Sequence, residues 1–288
     1  MKSLIKTSFP FLALAGVCAT STLAAEKPLR VLLITGGCCH DYAKQKDILK
    51  KGLEARANVV VEQIHTDDKS TKPPLPIYGN PDYAKGFDVV IHDECAADVK
   101  DFKTIAGVLK PHLDGTPGVN LHCAMHCYRF GDFGKPVARD AENAHWYEYL
   151  GLQSTGHGPQ KPIAITFVDP LAPLTKGLSD WTTVNEELYN NIQILTGHPL
   201  AKGKQTVPVG GKNKDGAAST ATKDVETVVV WTNEYGPKKT RVFSTSIGHN
   251  NATVEDARYL DLVARGLLWA CGKLDDNGQP KAGYGPAK

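Results

Sequence analysis

The hydrophobic positions follow two periods that alternate along the first half of the chain. Leu29–Gly37 (LRVLLITGG) is a nearly unbroken apolar run closed by two glycines, the pattern of a strand buried on both faces. DYAKQKDILKKGLEA follows, with apolar residues at helical spacing. ANVVVEQIH predicts a second strand, and FDVVIHD, beyond the Pro-rich KSTKPPLPIYGNP, a third. DVKDFKTIAGVLKPHL predicts a helix with Asp98 as its N-cap, and PGVNLH a fourth strand. Strands alternating with helices predict an α/β fold, a mostly parallel sheet with helices on both faces.

The second half is mixed. KPIAITFVD reads as a strand and TTVNEELYNNIQIL begins as another. DVETVVVWTNEYGPKKTRVFSTSIGH predicts two strands joined by a turn at Gly236-Pro237. Ala201–Asp224 is polar and rich in small residues, and reads as a loop. TVEDARYLDLVARGLLWACGK predicts one amphipathic helix, with Thr253 as N-cap and Gly272 past its end. The Gly/Pro-rich residues 274–288 read as a flexible tail.

The N-terminus changes the picture. Lys2 and Lys6 precede FPFLALAGV, an apolar run too short to span a bilayer, and STLAAEK then offers small residues for cleavage after Ala24 or Ala25. Residues 1–25 are therefore expected to be a Sec signal peptide and 26–273 one exported α/β domain, periplasmic or extracellular. Val17 before Cys18 argues against a lipoprotein. No later run is long and apolar enough to be an integral membrane segment. A net charge of +2 argues against a dedicated nucleic-acid or polybasic membrane binder.

Six cysteines remain after export: Cys38, Cys39, Cys95, Cys123, Cys127 and Cys271. An even count in an oxidising compartment hints at disulfides, but the density is too low for a disulfide scaffold. Cys38 and Cys39 are neighbours, a poor geometry for an unstrained bridge. Without C-x-x-C-H, covalent haem is not indicated.

Ligands of open parallel sheets bind beyond the carboxyl ends of the strands, and that is where the polar chemistry gathers. Strand one ends in GGCCHDY (Cys38, Cys39, His40, Asp41), strand three in HDEC (His92, Asp93, Glu94, Cys95), and strand four in His122, Cys123, His126 and Cys127. NEELY (Glu186, Glu187, Tyr189) and SIGHN (His249) join them. His65 and His112 read as surface residues near element ends. Taken singly, each strand-end histidine has an inert reading as a hydrogen-bonded loop cap, and Cys95 and Cys271 as small buried hydrophobes.

Three chemistries fit the cluster. Histidines with a carboxylate suit a divalent metal such as zinc, with an open position for water. Cys123, at a turn from strand into helix, suits a thiolate nucleophile with a histidine base. His40, His122 and Glu187 suit metal-free acid–base work on a polyol or keto-sugar. A Cys123–Cys127 disulfide is the inert alternative for those thiols. His122 and His126 would share a face only if a helix carried both.

VLLITGGCCHDY, FDVVIHDE, GVNLH, NEELYNN and above all VVVWTNEYGPKKTRVFSTSIGHNNATVEDARYLDLVARGLLWACG together resemble the trehalose-utilisation ThuA-like family, over roughly Leu29 to Gly272. The resemblance implies a flavodoxin-like core of the class I glutamine amidotransferase-like superfamily, and a role in the catabolism of trehalose and related disaccharides through keto-sugars. It places the family's polar positions on His40, His122, His157, Glu187, Tyr189 and His249. The position after the strand-four histidine is commonly small in that family and is Cys123 here.

The expected protein is thus a carbohydrate-active enzyme, a hydrolase, lyase or isomerase of keto-sugars. His122, Glu187, His40 and Tyr189 are the expected catalytic set. His157, His249, Asp41 and Cys123 would contact substrate. His40, His122, His157 and His249 would hold a metal. No nucleotide or haem is expected, and the oligomeric state is open. The rivals are a non-catalytic carbohydrate-binding accessory protein and a hydrolase using Cys123.

Overall fold

A computed structural model describes residues 26–210 and 221–286. The expected signal peptide, residues 1–25, lies outside the described residues. The strands are β1 (Leu29–Gly37), β2 (Val59–Thr66), β3 (Val89–Cys95), β4 (Gly118–Leu121), β5 (Leu152–Phe167), β6 (Trp181–Ile194), β7 (His198–Pro208), β8 (Thr222–Tyr235) and β9 (Thr240–Thr245). The helices are α1 (Tyr42–Glu54), α2 (Phe102–Leu113), α3 (His145–Leu150), α4 (Asn251–Val254) and α5 (Ala257–Ala270). Short 3₁₀ turns cover His122–His126 and Glu142–Ala144.

One nine-stranded sheet runs β2-β1-β3-β4-β9-β8-β7-β5-β6. Only half of its pairings are parallel: β1 with β2, β1 with β3, β3 with β4, and β4 with β9. The remaining four, β9–β8, β8–β7, β7–β5 and β5–β6, are antiparallel and involve the longest strands. The mostly parallel sheet with helices on both faces is thereby corrected to a mixed sheet. The alternation of strand and helix stops after β4, and from β5 onward strands follow strands, which leaves no crossover helices to make parallel pairs.

The helices concentrate on the parallel half. Leu49 and Leu53 of α1 and Leu260, Val263 and Leu267 of α5 pack with Val31, Leu33, Val89, Ile91 and Val119. Ile105, Val108 and Leu109 of α2 and Trp146 and Tyr149 of α3 pack with Leu32, Ile34 and Val90 on the other side. Successive residues of β1 therefore face opposite cores, as a strand buried on both faces requires.

Several local expectations change. β7 occupies part of the stretch read as a loop. The cap of α2 is Asp101, whose carboxylate accepts from the Thr104 backbone N–H, and not Asp98. The single helix expected from Thr253 is two: α4 ends at Val254, and α5 starts anew behind Asp256, which accepts from Arg258 N. After Lys273 the chain forms a bridge between Leu274 and Pro280, and the Tyr284 carbonyl accepts from Asn58 N. No helix among the described residues is long and apolar enough to cross a membrane.

Candidate functional site

β1, β3, β4 and β9 run in the same direction, so the residues that follow them gather at one edge. His40, Cys95, His122 and His249 all lie at or just after those strand ends. The antiparallel half supplies the carboxylate. Four register shifts break the β5–β6 pairing, and such bulges bend a strand pair. The bent pair crosses back over the sheet: Asn191 Nδ2 donates to the Val228 carbonyl of β8, and His126 Nε2 meets Ser154 Oγ at 2.8 Å. Within it His157 pairs with Tyr189 and Gln160 with Glu187.

His40, His122, Glu187 and His249 each contribute one ligand-type atom, all within 4.8 Å of one another. Glu187 Oε2 lies 3.2 Å from His249 Nδ1 and 3.5 Å from His122 Nε2. His40 Nε2 lies 3.1 Å from His249 Nδ1. Each ring is held from behind. His122 Nδ1 donates to the Ser246 carbonyl at 2.8 Å, which puts the lone pair on Nε2 toward the centre. That Nε2 is buried and has no hydrogen-bond partner. His40 Nδ1 meets the Tyr42 hydroxyl at 3.0 Å. Buried Glu186 accepts from the backbone N–H groups of His249 and Asn250, each at 3.0 Å, and so fixes the loop after β9.

The backbone is unusual at these positions. His122 has φ 40° and Cys39 φ 81°, left-handed values that side-chain-bearing residues seldom adopt. Gly248, at φ 132°, leaves no room for a Cβ, which would meet Tyr259 Oη at 2.8 Å.

The electrostatics favour a neutral His40 and an ionised Glu187, and act the other way on His249. Burial, aided by His122 and His249, lowers the His40 pKa to about 2, so the ring is neutral. Burial alone would raise the Glu187 carboxyl, but the His122 and His249 rings beside it hold it far below the usual carboxylate range. The hydrogen bond to Glu187 raises His249.

The other expected residues take different places. His157 is 45% exposed; its Nδ1 lies 2.8 Å from the Gly158 carbonyl and 3.6 Å from Glu187 Oε1, outside the four-donor cluster. Tyr189 is buried, its ring 4.5 Å from that of His122 and stacked at 4.1 Å on His126. Asp41 precedes α1, accepts from Asn251 Nδ2 and pairs with Lys44. His126 points to Ser154 and does not converge with His122, because a 3₁₀ turn carries both. His112, read as a surface residue, is fully buried against His92.

The thiols also differ from expectation. Cys38 and Cys39 are joined in a disulfide, while Cys95, Cys123, Cys127 and Cys271 are free. Contact with Cys95 and burial push the Cys123 thiol well up. The short 3₁₀ turn after β4 gives it no α-helix N-terminus, so it lacks the features of an activated nucleophile.

Two hollows flank the cluster. A cleft of ≈ 770 Å³ is lined by His40, Asp41, Lys69, Gln160, Asn185, His249 and Asn250, among others. A smaller one of ≈ 300 Å³ is lined by residues including Cys95, Cys123, His126, Arg129, His157, Glu187 and Tyr189. Cys39 and His40 line both. Sequence spacing missed Gln160, which donates to Glu187 Oε1 at 3.2 Å and reaches His249 Nε2 at 2.9 Å. Tyr42 was missed too. Neither stands at a strand end, so no positional signal marked them.

Comparison with known proteins places the chain. A family model described as ThuA, trehalose utilisation, matches residues 30–270. Two crystal structures share the fold. A ThuA-like protein of Parabacteroides merdae is 19% identical, with a TM-score of 0.58 over 91% of this chain and 98% of its own. One of Bacteroides uniformis is 17% identical, with a TM-score of 0.55 over 90% and 98%. No curated protein matches the sequence. With most of its length covered by the family model, this chain belongs to the ThuA trehalose-utilisation family.

Proposed function

We propose that this protein is an exported, metal-assisted enzyme acting on a carbohydrate, a keto-glycoside or similar derivative of a trehalose-type disaccharide. One observation carries the reading: three histidines and a carboxylate present ligand atoms within 4.8 Å of one another, and the buried His122 Nε2 among them makes no hydrogen bond, with Glu187 Oε2 3.5 Å away. A buried polar atom left unpaired is costly. A divalent cation such as zinc would relieve that cost here, and the donor set is one zinc accepts.

His40, His122 and His249 would be the nitrogen donors and Glu187 the oxygen donor. A cation held there supplies Lewis acidity toward a substrate oxygen. Glu187, held far below the usual carboxylate range, suits a ligand better than a base. His157 suits the base. Its Nδ1 lies against the Gly158 carbonyl, and the half-exposed ring lines the smaller hollow beside Glu187. Gln160, on the cleft wall between Glu187 and His249, orients both. Tyr189 forms the floor against which His122 packs. Sugar hydroxyls find donors and acceptors in Asp41, Asn185 and Asn250 along the larger cleft.

The test is elemental mass spectrometry of the mature, tag-free protein beside a His40→Ala/His122→Ala double variant. The expected result is about one zinc or similar ion per chain, lost in the double variant. Protein purified without chelators and free of metal overturns the metal reading. Sugar binding with no turnover by the metal-loaded protein on trehalose and its keto derivatives overturns the enzymatic one in favour of a binding module.

A further inference from the structure

The sulfur atoms beside the histidines form a set that the metal reading does not use. Cys38 and Cys39 are disulfide-bonded, and the free Cys95 thiol lies with its Sγ 3.4 Å from Cys38 Sγ. The register of β1 on β3 sets this up. Gly37 pairs with Cys95, and at φ 103° it approaches so closely that a Cβ would meet the Cys95 carbonyl at 2.3 Å. The next residue, Cys38, is thereby delivered onto the Cys95 side chain. Cys95 is 3% exposed and packs against Tyr42 and Cys123. Cys39 is exposed and stands in the wall between the two hollows, directly before His40.

We propose that these three residues form a thiol–disulfide exchange site, in which Cys95 releases Cys39 as a modifiable thiol in the cleft wall. The Cys95 sulfur, as thiolate, bonds to Cys38 Sγ. The Cys38–Cys39 bond breaks, and Cys39 leaves as a thiolate that takes up the proton given up by Cys95. No electrons enter or leave, so the step needs no external oxidant or reductant. The attack falls on Cys38 because its sulfur is the one in contact; Cys39 is the leaving group because it lies on the open side. The left-handed backbone at Cys39 favours the exchange, since the residue is no longer tied to its neighbour and is free to relax. The product staples the ends of β1 and β3 and leaves a reactive thiol beside His40. A small thiol or alkylating group attached there narrows both hollows. The site stands whether or not a metal binds the histidines.

Native protein, without reductant, is treated with iodoacetamide and mapped by peptide mass spectrometry. The expected product carries the label on Cys39 together with a Cys38–Cys95 linked peptide. In Cys95→Ser the Cys39 label falls to background. A second variant, Cys39→Ser, replaces an exposed side chain and leaves Cys38 as a free thiol; exposed to oxidised glutathione, it gives the Cys38–Cys95 bridge. Equal labelling of Cys39 in Cys95→Ser, no label on Cys39 in the wild type, or Cys39→Ser with glutathione on Cys38 and Cys95 free would each overturn the proposal.

Discussion

His249 depends on the residue before it. Gly248 adopts φ 132° because the chain turns sharply after β9, under the Tyr259 hydroxyl and next to His122. An alanine there must carry a Cβ in a region L-residues avoid, against an atom 2.8 Å away. Gly248→Ala should destabilise the fold by about 1–3 kcal/mol and displace His249 from Glu187. A urea titration reads the first effect, and metal content of the folded variant the second. A wild-type midpoint together with wild-type metal content would refute this account. His40, His122 and His249 were legible in the sequence because they follow strand ends. Glu187 appeared only as a later candidate, since it lies mid-strand and reaches the site through bulges that no pattern announces. His157 came from family resemblance alone, and Gln160 from neither source.

At the scale of elements, hydrophobic runs with a clear period were read well. β1 occupies the residues its pattern marked, and α1 buries Tyr42, Gln45, Leu49, Gly52 and Leu53 at helical spacing. β7 escaped because its alternation is hidden: Ala201, Gly203, Gln205 and Val207 point inward or toward neighbours, and most are small or polar. The break between α4 and α5 escaped for the opposite reason, as the apolar spacing runs on through it. The caps distinguish the two readings. Asp256 is extended and its carboxylate accepts from Arg258 N, whereas the buried Thr253 Oγ1 has no hydrogen-bond partner. Asp256→Ala should therefore lose about 1 kcal/mol. Thr253→Val, which removes an unpaired buried hydroxyl, should be neutral or stabilising. Chemical denaturation of both variants checks this, and the reverse order of effects would restore Thr253 as the cap.

The whole molecule carries several histidines that folding keeps from their usual protonation, and their sum sets its response to acid. Burial and the neighbouring His92 lower the His112 pKa to about 3, and burial with its histidine neighbours lowers that of His40 to about 2. Burial, with Arg129 next, drives His126 well below its ordinary value. In each case the unfolded chain takes up a proton below about pH 6.5 that the native ring refuses. Protons bound by the unfolded state favour unfolding, so this contribution is intact above pH 6.5. It drains away as pH falls toward the folded values, by up to about 1.4 kcal/mol per pH unit for each ring. The lowered Glu187 adds a loss of the same sign beginning below its ordinary value of 4.5. His249 works in the opposite direction: its raised pKa gives stability at low pH that is lost as pH rises through the folded value. The three depressed rings outnumber it. Metal-free protein should thus lose stability steadily between pH 7 and pH 5 in urea titrations. His112→Asn should be less stable near pH 7, because His92 loses its partner at 3.1 Å, yet its pH slope should be shallower by about one proton, so the gap to the wild type closes as pH falls. A variant slope equal to the wild type would mean that His112 titrates normally in the folded protein. The fully buried contacts around it, with Tyr149 at 4.5 Å and the Thr116 carbonyl at 2.8 Å, argue that it does not.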